Sequence, residues 1–338
     1  MSIRQALADE FHIARIDRPD LPVFLAAAWP RAEGVTGDHP RLPAGRGLTL
    51  QQAMISAGAE AIELRASLAR NHASDIRVIG GTAMTEGNDL ASGDRVPVPA
   101  GQIYLDCGHD GAATSTGCAT AATYEEACFK GLLECIERDA VALWWHGGMR
   151  RPSLPLDLID PAQPRLFWWL QRRARRTGLI DITQDNGVPA VAAFSAGSGG
   201  GGIAVGSAAD LRVEDAALAA VTEMIQIEAS MALAAEANDP ELMRWYDFAT
   251  IGGLLQFQPG EAGPLPPPVS GTGAILRSLA YGGHRACAVR LTLDRDPLVT
   301  VKVMVSGFCA LGGRLDAGRF ARVTGRSGAP VTIFPEPY

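Results

Sequence analysis

The chain has 338 residues, of which 47% are hydrophobic, and a formal net charge of -7. A chain of this length can bury a substantial core as one large or two smaller domains, and its negative charge argues against general nucleic-acid binding. No apolar run approaches the roughly 20 residues that cross a bilayer, and the amino terminus lacks the apolar segment of a signal peptide. We therefore expect a cytoplasmic protein without a membrane segment or a nucleic-acid partner.

The first half of the chain alternates between predicted strands, loops and helices. In chain order the predicted elements are a strand over 21–29, a Gly-rich loop over 43–48, a helix over 48–63, a strand over 97–106, a small-residue loop over 111–119 and a helix over 122–137. Thr49 with Gln52, and Thr123 with Glu126, have the spacing of a capping box at the start of the two helices.

The second half continues the alternation. Its predicted elements are a helix over 164–176, strands over 180–183 and 188–194, a hairpin-like Gly-rich turn over 195–202, a segment over 203–206 that leads into a third helix over 211–226 capped by Asp210, a helix over 274–280 and strands over 287–293 and 298–305. The Pro/Gly-rich segment 258–273 is predicted to be a mobile surface loop. The pattern indicates an α/β (α+β) fold of mixed sheets with packed helices, and residues 1–338 are predicted to form a single domain.

Three of the predicted helices share one pattern: an alanine, a glutamate seven residues later, an isoleucine at nine and Glu or Gln at ten. The oxygen-bearing pairs are Glu60 and Glu63, Glu134 and Glu137, and Glu223 and Gln226. Residues three apart are neighbours on a helix face, so each helix presents its pair side by side. Gathered in one place, five carboxylates require cations, and hard oxygen ligands favour magnesium, which usually accompanies a polyphosphate. The alternative is three amphipathic helices whose glutamates face solvent.

The lysines, cysteines and histidines show which other kinds of site the sequence does not support. The only lysines, Lys130 and Lys302, do not lie in a Gly-x-x-x-x-Gly-Lys-Ser/Thr context, which excludes a Walker-type phosphate loop. The six cysteines show no Cys-x-x-Cys spacing and the six histidines no zinc-ligand spacing. We expect the cysteines to be reduced core residues, and a catalytic thiol at Cys107 or Cys118 is the alternative.

The second acidic helix in its context, residues 114–140, resembles the central motif of the YcaO family. Gly45-Arg-Gly-Leu-Thr49 with Ser56, Glu60 and Glu63 resembles the first ATP motif of the family. Residues 213–226 resemble its third ATP motif, and residues 301–308 resemble its late strand. The resemblance covers most of the chain in the order of the family's motifs, and it implies a single YcaO-like domain with internal pseudo-repeats.

This resemblance implies an ATP- and Mg2+-dependent enzyme that modifies backbone amides of a ribosomally synthesised precursor peptide. A nucleophile adds to the amide carbon, and the amide oxygen is then phosphorylated and leaves as phosphate. A side-chain thiol or hydroxyl gives an azoline by cyclodehydration, whereas external sulfide gives a thioamide, and both products remain open. A hypothesis of another class is a non-catalytic nucleotide-binding scaffold that presents the precursor to a partner enzyme.

The resemblance also implies roles for individual residues. The metal ligands would be Glu60, Glu63, Glu134, Glu137 and Glu223. Catalysis is assigned to Glu134, Glu137 and Arg138, and ATP binding to Arg46, Ser56, Ser115, Arg138 and Gln226. Arg138 has a second interpretation, because it lies four residues after Glu134, the spacing of an intrahelical ion pair.

The sequence departs from the family's pattern in three places. Gly45-Arg46-Gly47 replaces Gly-Lys-Gly, and Leu64 follows Glu63 where an arginine is usual. Arg65 is one position later, so on a helix it should point elsewhere. The segment 334–338 has only two prolines of the Pro-x-Pro-x-Pro tail common in azoline-forming members, which makes thioamidation a competitor.

The sequence also suggests binding partners and surfaces that could contact them. The resemblance implies a separate ThiF-like or TfuA-like partner, and a homodimer is also compatible with the sequence. Trp168 and Trp169, beside Arg172, Arg173, Arg175 and Arg176, form a candidate docking patch for an acidic leader peptide or partner, whereas Trp144 and Trp145 are candidates for a peptide groove or for the core. Residues 199–202 could form an anion-binding nest or a flexible hairpin tip.

Overall fold

A computed structural model of the chain describes residue 7 and residues 9–31, 42–107, 113–294, 296–309 and 315–326. The chain packs as two compact units. The first unit comprises residues 1–135 and 283–306, and the second comprises residues 136–282 and 307–338. The mixed α/β class predicted from the sequence is confirmed. The single-domain organisation stays a prediction.

Thirteen strands and eight α-helices are found among the described residues. The strands are β1 (Phe11–Ile16), β2 (Phe24–Pro30), β3 (Ala44–Gly47), β4 (Arg77–Ile79), β5 (Thr82–Asp89), β6 (Arg95–Pro99), β7 (Cys118–Ala121), β8 (Ser153–Leu154), β9 (Arg176–Asp181), β10 (Ala190–Ala196), β11 (Ala204–Ala209), β12 (Ala286–Arg290) and β13 (Val299–Val305). The helices are α1 (Leu50–Ala66), α2 (Ala100–Ile103), α3 (Tyr124–His146), α4 (Pro164–Arg172), α5 (Val213–Glu236), α6 (Pro240–Phe248), α7 (Thr272–Tyr281) and α8 (Ala317–Thr324).

The first unit contains two antiparallel sheets. One has the order β1-β2-β3, and the other has the order β4-β5-β12-β13-β7, with β6 paired to β5. Helix α1 packs on the three-stranded sheet through small buried residues, including Ala53, Ala57 and Ala26. Small side chains at this contact let the helix lie close to the sheet, which positions the carboxylates that α1 carries.

The Gly-rich segment 43–48 was predicted to be a loop, and this prediction is wrong. Residues Ala44–Gly47 form strand β3, which pairs with β2. A Cβ at Gly45 would lie 2.1 Å from the backbone nitrogen of Ala57 on α1, and one at Gly47 would lie 2.5 Å from Cβ of Gln52. The glycines are therefore needed for close contact between a strand and a helix, which sequence alone does not distinguish from turn formation.

The second unit is built on one antiparallel sheet in the order β11-β10-β9-β8. The turn between β10 and β11 is closed by Gly197 N–H donating to Gly201 O at 2.9 Å, so the predicted hairpin turn is confirmed. Helix α5 lies directly on β11, where a Cβ at Gly206 would be 2.3 Å from both Ala220 O and Met224 N.

Helix α5 is long and apolar enough, by length and composition alone, to cross a membrane. This differs from the expectation that no segment would meet that criterion. Half of its apolar window is buried within the fold, and its buried residues include Ala216, Ala220 and Ile225. The contact with β11 accounts for its apolar composition as that of a core helix.

Several element boundaries differ from the prediction. The strand predicted over 97–106 ends at Pro99 and is followed by α2, and α3 extends to His146. Strand β12 ends at Arg290 and helix α4 at Arg172, both earlier than predicted, and Arg176 begins β9 instead of ending the helix. Residues 258–271 form no helix or strand, and Gly260 and Val269 are hydrogen bonded to Arg151 and Leu211. Mobility of this segment stays a prediction, and residues 334–338 lie outside the described residues.

The helix caps confirm one prediction fully and contradict another. At α1, Gln52 N–H donates to Thr49 Oγ1 at 3.2 Å and Thr49 N–H donates to Gln52 Oε1 at 3.1 Å, a complete capping box. Asp210 does not cap α5. The N-cap is Arg212, which makes no side-chain cap hydrogen bond, because Asp210 instead accepts from Leu211 N–H at 2.7 Å.

Candidate active site

The first glutamate of each repeated helix is held in the same way. In each case a backbone N–H in the preceding strand, or directly before it, donates to the carboxylate. The three hydrogen bonds are Ala44 N to Glu60 Oε2 at 3.1 Å, Gly117 N to Glu134 Oε2 at 3.2 Å, and Ser207 N to Glu223 Oε2 at 2.9 Å. A charge-assisted hydrogen bond from a fixed backbone donor orients a carboxylate at small entropic cost. The sequence repeat is therefore also a structural repeat.

The second glutamates of the first two helices are bound by the strand of the following repeat. Thr120 N–H on β7 donates to Glu63 Oε1 at 2.7 Å, and the hydroxyl of Ser207 on β11 donates to Glu137 Oε1 at 2.7 Å. Helices α1 and α3 are thus each linked both to the segment that precedes them and to the strand of the next repeat. This arrangement fixes the second carboxylate as well as the first.

Glu60, Glu63 and Glu134 form a carboxylate group in the first unit. The pKa of Glu63 is raised well above its usual range, first because its charge is buried and then because Glu134 and Glu60 repel it. The hydrogen bonds from Thr120 act in the opposite direction and do not offset these effects. Glu60 lies at the exposed edge of the group, whereas Glu63 and Glu134 are partly buried. A cation would relieve this repulsion and favour the ionised form of Glu63.

Glu137 and Glu223 form a second group in the second unit. Ser207 joins them, since its N–H donates to Glu223 and its hydroxyl to Glu137. Arg138 Nη1 lies 3.3 Å from Glu137 Oε1, so the ion pair shown for this arginine is with its sequence neighbour. The Arg138 side chain is 27% exposed and that of Glu137 is 13% exposed, so this ion pair is only partly open to solvent.

The loop before β7 is pressed onto α3. Gly117 has φ +80°, and a Cβ there would lie 2.1 Å from Val303 O. A Cβ at Gly131 on α3 would lie 2.6 Å from Gly117 O. Val303 N–H donates to Gly117 O at 2.8 Å. The two glycines therefore permit the close approach that directs Gly117 N–H at Glu134.

The other residues predicted to bind the nucleotide lie on four different elements or loops. Ser56 is exposed on α1, four residues before Glu60 and on the same helix face, and Ser115 is exposed just before β7. Gln226 is half-buried one turn beyond Glu223. Arg46 lies opposite Leu25 in the sheet, and strand alternation puts its side chain on the face away from α1, since Gly45 and Gly47 face the helix.

Two residues that orient the carboxylates, Thr120 and Ser207, were missed by the sequence analysis. Both are small polar residues in short buried strands, each just before a repeated helix. The available signal was their position, because a polar residue inside an otherwise apolar strand requires a hydrogen-bond partner. The sequence alone does not say that the partner belongs to the neighbouring repeat.

Cys118 and Arg65 lie where their structural interpretations place them. Cys118 is buried, as expected of a core cysteine, and burial together with the charge of Glu63 raises the pKa of its thiol to about 12, which disfavours the thiolate. Arg65 points away from the carboxylate group, as expected from its displaced position. It is buried in ion pairs with Glu10 and Asp296, and its guanidinium lies 5.6 Å from the centre of the Phe11 ring.

The carboxylates are suited to a metal that also binds a second ligand. Within the part of the chain that the structure describes, no three His, Cys, Asp or Glu side chains form a ready-made metal cluster. Mg2+ is usually bound through one or two carboxylates together with waters and substrate phosphates. The oriented, mutually repelling carboxylates therefore fit Mg2+ with a phosphate ligand better than a metal held by protein alone.

Comparison with known families decides the classification. A family model described as YcaO cyclodehydratase, ATP- and Mg2+-binding, matches residues 79–309. The chain belongs to the YcaO family. An uncharacterised protein of Methanothermobacter thermautotrophicus is 28% identical over 214 residues, which cover 54% of each chain.

Three solved structures share the fold. A heterocyclase in complex with substrate and cofactor has a TM-score of 0.83 at 21% identity, covering 100% of this chain and 57% of its own. YcaO from Methanopyrus kandleri bound with AMPPCP and Mg2+ has a TM-score of 0.71 at 23% identity, covering 91% and 89%. The E. coli microcin synthetase McbBCD complex has a TM-score of 0.65 at 13% identity, covering 88% of both chains. The chain spans about half the length of the curated relative and of the first of these structures.

Proposed function

We propose that this YcaO chain is an ATP- and Mg2+-dependent enzyme that modifies backbone amides of a ribosomally synthesised precursor peptide. The observation that carries the proposal is the threefold hydrogen bond from a backbone N–H, in the preceding strand or directly before it, to the first glutamate of each helix. Glu134 and Glu223 are also partly buried, whereas Glu60 is exposed, so two of the three glutamates do not simply face solvent. The nucleotide analogue and Mg2+ in the Methanopyrus kandleri relative support the same chemistry.

When bound, Mg2+ would neutralise the phosphates of ATP, whose terminal phosphoryl group would convert the amide oxygen into a leaving group. We assign the metal to Glu60, Glu63, Glu134, Glu137 and Glu223. Thr120 and Ser207 hold two of these carboxylates in position through the hydrogen bonds described above. Oriented ligands reduce the reorganisation that binding would otherwise require.

The remaining polar residues would contact the nucleotide or the reacting amide. Arg138 offers a forked donor for phosphate oxygens, and its contact with Glu137 fixes its direction. Ser56, Ser115 and Gln226 would donate neutral hydrogen bonds, and Arg46 would act on the nucleotide only from the strand face away from α1. We assign Glu134, Glu137 and Arg138 to the catalytic step, since these three lie within two turns of α3.

The product is an azoline or a thioamide, depending on whether the nucleophile is a side chain of the peptide or external sulfide. Partner proteins are consistent with the complexes formed by relatives such as McbBCD. We propose that this chain also acts with a separate ThiF-like or TfuA-like protein, in the cytoplasm where ATP and newly made peptides are available. A homodimer is compatible with this proposal.

The test is incubation of the purified protein with ATP, Mg2+ and the candidate precursor encoded beside its gene, with and without the partner protein. We expect peptide-dependent release of phosphate and a change in peptide mass. Loss of water identifies an azoline, and replacement of oxygen by sulfur identifies a thioamide. Nucleotide binding without peptide-dependent phosphate release would instead support a non-catalytic scaffold. The altered Gly45-Arg46-Gly47 and Glu63-Leu64 positions motivate that alternative.

A further inference from the structure

Helix α4, in the second unit, has one buried face and one exposed face. Leu166 and Leu170 are buried, whereas Arg165, Trp168 and Arg172 are exposed, with 55% of Trp168 accessible. Arg165 and Arg172 are seven residues apart, which is about two helical turns or roughly 10 Å along the axis. Trp168 lies between them on the same face. The exposed face is therefore a row of cation, aromatic ring and cation.

This face borders a surface cavity of about 660 Å3, which we call the α4 groove. It is lined by Pro164, Arg165, Trp168, Trp169, Arg172 and Arg173. No carboxylate is among these residues. The guanidinium of Arg172 lies 5.7 Å from the centre of the Trp168 ring, and that of Arg173 lies 4.7 Å from the centre of the Trp169 ring. The groove thus combines flat apolar surface with positive charge.

The arginines near the groove have different roles. Arg173 Nη1 donates to both carboxylate oxygens of Glu228 at 2.8 Å, so its charge is balanced inside the fold. Arg175 donates to the hydroxyl of Ser195 at 3.0 Å and to the carbonyl of Gly202, which ties it to the β10–β11 hairpin. These two arginines, included in the docking patch expected from the sequence, serve the structure instead.

Arg165 and Arg172 differ from them. Across the described ranges of the chain, no Asp or Glu side chain pairs with either arginine, although acidic residues outnumber basic ones by 37 to 30. Two exposed, unbalanced cations flanking an exposed tryptophan attract a ligand that is both acidic and apolar. The groove is too short and the chain too negative overall for a nucleic-acid backbone, which requires an extended basic face.

We propose that the α4 groove binds an acidic segment of the precursor peptide, with carboxylates on Arg165 and Arg172 and an apolar side chain against Trp168. This inference rests on the proposed function for the identity of the peptide, but the binding itself requires neither ATP nor turnover. Binding at this groove would hold the peptide to the enzyme through a segment that is not itself modified. The effect of the groove would therefore appear in substrate affinity rather than in the chemical step.

The test measures binding of a fluorescein-labelled synthetic peptide with Glu at every third position and Leu between, by fluorescence anisotropy without nucleotide. A peptide with Gln in place of Glu is the comparison. We expect the acidic peptide to bind at least about tenfold more tightly than the Gln peptide, and the difference to shrink as salt concentration rises. The double variant Arg165→Glu/Arg172→Glu should lose this preference, and Trp168→Ser should weaken binding of both peptides.

The matched control is Arg77→Glu/Arg95→Glu, which reverses two exposed arginines of the first unit and changes the net charge equally. It should bind the acidic peptide like the unmodified protein. Nucleotide binding should be unchanged in both double variants, which shows that the groove variant is folded. The proposal is overturned if the groove variant keeps the preference, if both double variants lose it equally, or if a single-stranded oligonucleotide binds the groove as tightly as the acidic peptide.

Failure of the groove and failure of the proposed function give different results. If the groove does not bind peptide, modification of the natural precursor by Arg165→Glu/Arg172→Glu will show an unchanged KM. If the groove binds as proposed, KM should rise by about tenfold or more with little change in kcat. If the anisotropy experiments show the expected peptide binding but the enzyme modifies no peptide, the proposed chemistry is contradicted and the groove is not.

Discussion

Ser207 is the residue that connects two repeats through one side chain and one backbone group. Its hydroxyl donates to Glu137, and its N–H donates to Glu223. A side chain that orients a ligand without touching substrate acts by positioning, and loss of such a residue typically costs about 10- to 100-fold in metal affinity or activity. Ser207 is therefore a sensitive point at which to test the role of the carboxylates.

Ser207→Ala removes the hydroxyl bond and keeps the backbone bond. We expect the Mg2+ concentration needed for half-maximal nucleotide binding to rise by about tenfold, with little loss of stability. Titration with Mg2+ at fixed ATP analogue measures this. The control is Ser278→Ala, which also removes one hydroxyl bond, to the Asn186 carbonyl at 2.6 Å, but touches no glutamate. Equal behaviour of the two variants would contradict a positioning role.

Glu63 predicts a pH dependence with a definite sign. Its raised pKa means that the folded protein binds a proton that the unfolded chain has already released. Without metal, the free energy of unfolding should therefore fall as pH rises from the usual glutamate pKa through the raised pKa of Glu63. Metal binding should release this proton and become tighter over the same pH range.

Urea unfolding at several pH values, with and without Mg2+ and nucleotide, measures the effect of Glu63. In metal-free Glu63→Gln the free energy of unfolding should change less with pH, because the amide does not titrate. Glu261→Gln, at an exposed glutamate, is the control and should keep the slope. If the free energy of unfolding changes with pH equally in the unmodified protein and in Glu63→Gln, then burial and repulsion by Glu60 and Glu134 do not raise the pKa of Glu63.

At the scale of elements, the close contact between strand and helix is the repeated feature. Gly45 on β3 and Gly206 on β11 each lie where a Cβ would meet the backbone of the following helix within 2.3 Å. Because these contacts are backbone to backbone, no side-chain rotation relieves them. The strand must therefore lie against the helix for its N–H to reach the first glutamate.

Gly206→Ala should disrupt this contact. We expect a loss of about 1–3 kcal/mol in the free energy of unfolding, because the added methyl group forces β11 away from α5. Nucleotide binding should fall as well, since Ser207 would move with the strand. Gly199→Ala is the control, because a Cβ there meets no atom within 4 Å. Unfolding curves that coincide for the two variants would be inconsistent with the close packing.

The helical periodicity and the capping box allowed α1 and the repeated acidic pairs to be predicted from sequence. Strand β3 was not predicted, because Gly45 and Gly47 are as typical of a loop as of a strand pressed on a helix. Likewise, the acidic residues of the site were visible in the sequence, but Thr120 and Ser207 were not. Their roles depend on which strand lies next to which helix, and connectivity alone does not fix strand order.

At the scale of the whole molecule, the single helix α3 carries residues of both carboxylate groups. Glu134 and Glu137 are one turn apart on this 23-residue helix, and Glu134 belongs to the group of the first unit while Glu137 belongs to that of the second. The proposed function assigns metal ligands to both groups. We therefore expect a substitution in either group to weaken binding of the magnesium nucleotide.

The most direct measurement is calorimetric titration of a non-hydrolysable ATP analogue with Mg2+ into Glu134→Gln, Glu137→Gln and Glu126→Gln. All three substitutions lie on α3, but Glu126 is exposed and pairs with Lys130 at 3.0 Å, away from both groups. We expect Glu134→Gln and Glu137→Gln each to weaken binding by at least about tenfold and Glu126→Gln to leave it unchanged. Full affinity in both Glu134→Gln and Glu137→Gln would contradict the account.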